Sequence, residues 1–223
     1  MPDRRAIPRS FRRLTAACTV GAAAAIGLSV LDGGDLHALS NATFWLLVAL
    51  TLGVELLPIR LVRPGSVDLI TVASPFALAI LFLFGGLPAM LTWLVVAFVA
   101  DLIGGLGPVK ALFNASQYTI SMGAATVALD LGGGQVPLTL VAEDLPEMLA
   151  AAFVFFVVNH VLAGAGVAFL NGVRVLPFLR TDLDFLSWTA GFQLALAPLL
   201  LGAPGALMAL GAVPVLAIYL GGR

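Results

Sequence analysis

Eight apolar runs divide this chain, and all 11 of its lysines and arginines fall in, or at the edges of, alternate gaps between them. The runs cover residues 14–31, 43–57, 69–84, 87–103, 109–131, 147–171, 185–201 and 205–220. An apolar run of about 20 residues matches a hydrocarbon layer about 30 Å thick, and in lipid it must be helical, because only a helix satisfies its own backbone. Short cytoplasmic loops collect Lys and Arg. With residues 1–13 as a basic tail inside the cell, the basic residues of the tail, then Arg60 and Arg63, Lys110, Arg174 and Arg180, and Arg223 share one side. The loops 32–42, 85–86, 132–146 and 202–204 contain none. The expected fold class is therefore all-α: a polytopic transmembrane helical bundle of about eight helices in the inner membrane, with both termini cytoplasmic.

Composition agrees with this placement. The chain is 61% hydrophobic and 10% charged, with mean hydropathy +1.08, where soluble domains carry about 25% charged residues. Residues 14–31 could serve as a signal segment or as a first membrane helix. Their length and the absence of an A-x-A site favour the retained helix. Residues 67–73 are β-branched and readable as strand or helix, while residues 172–184 have the pattern of a short interfacial helix. The lone Cys18 can form no disulfide within the chain.

Polar residues inside the apolar runs are the candidate functional groups, since lipid tolerates them only when they face the bundle interior or a wet cavity. On the fifth run Lys110, Asn114, Gln117, Tyr118 and Ser121 recur at helical spacing and form one stripe. Asp101 lies near the end of the fourth run, with Lys110 as its expected partner, and Glu55 lies near the end of the second, where Arg60 or Arg63 could pair with it. Asn159 and His160 are a polar pair in the middle of the sixth run, and Gln193 lies within the seventh. Each has a structural reading beside the functional one. Asp101 and Lys110 could simply end a hairpin at the headgroups, amides commonly join helices, and an intramembrane His is usually a hydrogen-bonded core residue. Gly21 with Ala25, Gly123, and Gly164 with Ala163 and Val167 are expected at close helix contacts.

No HExxH, GxSxG, P-loop or dinucleotide-binding turn is present, and no set of His and thiolates has metal-ligand spacing. An enzyme, a metal centre, a cofactor and a nucleic-acid partner are not expected.

The stretches ELLPIRL at 55–61, DLITVAS, FALAILFLFGGLPAMLTWLVVAFVADL, VKALFNASQYTIS and FFVVNHVLAGAGVAFLNG at 155–172 together resemble a bacterial family across most of residues 43–220. The family is the N-terminal integral-membrane sensor domains, MASE-type and vitamin-uptake-like, found ahead of GGDEF, EAL or HD-GYP domains. The resemblance implies a helical sensory input module that relays a membrane or small-molecule signal to a cytoplasmic cyclic-di-GMP enzyme domain. It assigns no ligand-binding residue. For such a sensor a homodimer is the expected assembly. No output domain follows within the 223 residues, so the expectation is an excised input module or a protein that acts alone. The alternative is the substrate-binding membrane component of a vitamin or small-molecule uptake transporter, which needs an outward cavity lined by Trp45, Trp93, Gln193 or His160. A third reading is a scaffold without a cavity.

Overall fold

The computed structural model describes residues 7–63, 66–139 and 141–181, with the backbone alone at 59–63, 66–70 and 181. The expected runs 185–201 and 205–220, with Gln193, lie outside the described residues, as do residues 1–6. Seven α-helices are present among the described residues: α1 Arg9–Leu31, α2 Ala42–Glu55, α3 Ser74–Phe84, α4 Gly86–Ile103, α5 Pro108–Leu131, α6 Leu145–Asn171 and α7 Val175–Thr181. Strands β1 Ile59–Arg63 and β2 Ser66–Ile70 form one antiparallel hairpin between α2 and α3, with Ile59 opposite Ile70 and Arg63 opposite Ser66.

Three helices, α1, α4 and α6, are long and apolar enough to cross a membrane. Their outward faces support that reading. Leu149, Phe153, Val157 and Val161 make an exposed apolar stripe along α6, Phe153 being 58% exposed, and Val20 on α1 is 71% exposed. Soluble proteins rarely leave such continuous apolar surface open to water.

The span expected at 69–84 is corrected. Residues 66–70 are strand, and α3 begins only at Ser74, with Pro75 in its first turn. Proline is suited to a helix start, and the β-branched residues before it favour extended backbone. At 11 residues α3 is about 16 Å long, half a hydrocarbon layer. It is instead an interior helix: Ser74 through Phe82 are all buried. Its C-terminal end is closed by the 132–144 loop, where Leu138 N–H donates to Phe82 O at 2.8 Å. The count of eight spans is likewise not reached among the described residues, because α2 and α3 are short and α5 is too polar to qualify. The tail also differs from expectation: Arg9, Arg12 and Arg13 already lie in α1, where Phe11 is 1% exposed. The short helix expected within 172–184 is α7.

Helix α5 is the centre of the bundle, packed against α1, α4 and α6. It runs parallel to α1, as Ile120 meets Gly21 and Gly123 meets Ala25, both at glycines anticipated for close contact. It runs antiparallel to α4, with Thr126 against Gly86 at one end and Asn114 against Asp101 at the other. It is also antiparallel to α6, with Phe113 against Gly166 and Gly132 against Glu147. A helix enclosed on three sides can carry polar side chains that a lipid-facing helix cannot.

Candidate functional site

The polar groups converge at the end of the bundle that holds the start of α1, the end of α4 and the start of α5. The tight turn after α4 is closed by Leu106 N–H donating to Asp101 O at 2.8 Å, with Gly105 at φ +85°. A side chain is strained in that backbone region, so the turn uses glycine. The antiparallel return brings Asn114 beside Asp101, and Asn114 Nδ2 donates to Asp101 Oδ2 at 2.7 Å. Here an expectation fails: Lys110 is exposed and does not form an ion pair with Asp101. The amide one turn farther along takes the carboxylate because it faces α4 from inside the bundle.

Glu55, in the last turn of α2, lies close to Thr71 in the segment between β2 and α3, to Asp101 and to Tyr118. Glu55 Oε2 is buried with no hydrogen-bond partner among the described residues. The Tyr118 ring stacks on Trp93 at 4.1 Å with 6° between planes, and Trp93 in turn stacks on Phe155 of α6 at 6.3 Å. Glu55, Thr71, Asp101, Asn114, Tyr118, Trp93 and Phe155 thus gather as one polar and aromatic group from α2, the hairpin exit, α4, α5 and α6. Pairing of Glu55 with Arg60 or Arg63 rests on side chains outside the described residues.

The remaining candidates are placed differently. Gln117 is 2% exposed, and its Oε1 has no hydrogen-bond partner among the described residues. Ser121 is buried and donates to Gln117 O, the backbone oxygen one turn back, so the lower stripe turns inward without linking to another helix. Asn159 and His160 lie on α6: His160 stacks on Phe156 of its own helix, and Asn159 Oδ1 has no hydrogen-bond partner among the described residues. Sequence reasoning missed Thr71 and the aromatic stack, and placed Trp93 only in an outward cavity. Nothing local marks Thr71 among its β-branched neighbours, and the stack joins residues from three separate helices.

Among the described residues no group of three or more His, Cys, Asp or Glu is placed to hold a metal ion. What the arrangement offers is a polar group whose members sit on different elements, with the Asn114–Asp101 hydrogen bond joining α5 to α4. An unpaired buried acceptor is costly, and Gln117 shows the consequence. Gln117→Met keeps the volume and removes the orphan oxygen, and is expected to leave stability unchanged or raise it by up to about 1 kcal/mol. Reversible unfolding in mixed micelles checks this; a clear loss would show that the amide has a bonding role.

Comparison of the chain with protein families, with curated proteins and with solved structures finds no match.

Proposed function

We propose that this chain is a sensory input module of the bacterial inner membrane, multi-pass with about eight helices and both termini in the cytoplasm. A membrane or small-molecule cue biases its packing, and the last helix carries the change to a cytoplasmic cyclic-di-GMP enzyme domain, within a homodimer. The observation that supports this reading is the Asn114–Asp101 hydrogen bond, with Glu55, Thr71 and Tyr118 grouped beside it, at the end where the basic residues gather. It ties together elements that a signal must move relative to one another. Buried polar bonds have few alternative partners, so such a set changes between discrete arrangements and does not deform gradually.

The test uses the chain fused after Arg223 to a diguanylate cyclase reporter. Asn114→Leu alone leaves the Asp101 carboxylate unpaired and is expected to cost about 1–3 kcal/mol. The double variant Asp101→Leu with Asn114→Leu removes both partners and is expected to recover most of that stability. If the pair carries the signal, the double variant stays altered in output by several-fold although it is stable. A double variant with wild-type output would reduce the pair to packing.

A second reading, the substrate-binding membrane component of an uptake transporter, is favoured by a different observation: a cavity of about 530 Å³ at the opposite end of the bundle. It is not lined by Trp45, Trp93 or His160.

A further inference from the structure

The cavity lies between α1, α4 and α5, at the end opposite the polar group just described. Its floor is apolar, made by Ala25, Met90, Ile120 and Gly123, about two turns inside the bundle. Its rim is acidic, with Asp32 and Asp35 in the loop after α1 and Asp130 in the last turn of α5. Among the described residues no Lys, Arg or His lines it, and the rim residue Asp35 lies 3.9 Å from His37 Nε2. At about 530 Å³ it has the size of a small-molecule pocket, commonly about 300–1,000 Å³, and it has their usual make-up of apolar walls with few polar groups.

Its shape is set by backbone that cannot easily collapse inward. Thr126 packs on Gly86, and Gly34 N–H donates to Ser29 O at 2.8 Å, holding the loop after α1 over the α4 start. Gly33 and Gly85, at φ +84° and +90°, turn the chain at the mouth without side chains. Asp32 and Asp130 both line the mouth of this cavity, from just after α1 and from the last turn of α5. A pocket with this division accepts a ligand of the same division, with its charge at the mouth and its hydrocarbon inward.

We infer that this cavity binds a small organic cation, an ammonium group on an apolar body, with the ammonium between Asp32 and Asp130 and the body against Ala25, Met90 and Ile120. The site stands whether the chain is a sensor or an uptake component. An ammonium of this kind can belong to a soluble amine or to the ethanolamine headgroup of a lipid.

The test measures equilibrium binding of radiolabelled benzylamine to the full chain in maltoside micelles, with empty micelles subtracted. Saturable binding at one site per chain is expected, with no competition from benzyl alcohol, its neutral counterpart. Asp32→Asn and Asp130→Asn change exposed side chains and should keep the fold by circular dichroism, while each weakens binding about three- to tenfold. Adding phosphatidylethanolamine or phosphatidylglycerol then separates the sources. Competition by the first alone assigns the site to the lipid headgroup, and competition by neither assigns it to a soluble amine; both support the inference. Absence of saturable binding to folded protein, equal competition by benzyl alcohol, or unchanged affinity in both Asn variants would overturn it.

Discussion

Trp93→Ala is expected to destabilise the bundle by about 3–5 kcal/mol, toward the lower end of that range. Trp93 is fully buried on α4, its ring 4.1 Å from Tyr118 on α5 and 6.3 Å from Phe155 on α6. It is therefore the side chain through which three helices touch at one level. In a soluble protein two effects would add: loss of hydrocarbon burial from water, and loss of packing around the space left behind. In a bilayer the separated helices keep their side chains in lipid, so the first effect largely disappears and the packing loss remains. Trp93→Phe keeps the stack and removes an indole N–H that has no hydrogen-bond partner among the described residues. It is expected to cost less than about 1.5 kcal/mol. Reversible unfolding by SDS in mixed micelles measures both variants. A Trp93→Ala change within about 0.5 kcal/mol would mean that the three-helix contact contributes no more than an ordinary surface position.

Gly166→Val tests the other face of α5. A Cβ at residue 166 would lie 2.5 Å from Phe113 Cε1 and 2.6 Å from Cζ, closer than real Cβ atoms come. The ring cannot readily swing away, because Phe113 is 3% exposed and packs at 5.0 Å against Phe11 of α1. The strain must therefore part α5 from α6 or displace the first turns of α1. The expected cost is about 3 kcal/mol, the upper end for overpacking. Gly27→Val is the control, since a Cβ there meets nothing within 4 Å; a shift of no more than about 0.5 kcal/mol is expected. Adding Phe113→Leu to Gly166→Val should recover part of the loss, because the two positions are in direct contact and their effects do not add. If Gly27→Val and Gly166→Val behave alike, close approach at Gly166 is not what holds α5 to α6.

Much of the candidate site was legible as residues but not as partners. The helical spacing of Lys110, Asn114, Gln117, Tyr118 and Ser121 predicted one inward stripe; Gln117 and Ser121 are buried as that requires, whereas Lys110 is exposed. Asp101 was recognised as needing a partner, and charge alone pointed to Lys110. The geometry of the turn after α4 chose Asn114, leaving Lys110 exposed at the bundle end. Thr71 lies beside Glu55 and Tyr118 only because the hairpin and the short α3 bring residues 55, 71 and 118 to one place.

Hydropathy and its period belong to each segment separately, so the chain by itself decided that it is helical, that α1, α4 and α6 are long and apolar enough for a membrane, and which face of α5 turns inward. The β-hairpin, the interior position of α3, the stack of Trp93 on Tyr118 and Phe155, and the acidic-rimmed cavity were decided by tertiary structure. Each of these depends on how segments far apart in sequence cross and at what level they meet. No single run of residues carries that relation, since it arises from which ridges and small residues of neighbouring helices fit together.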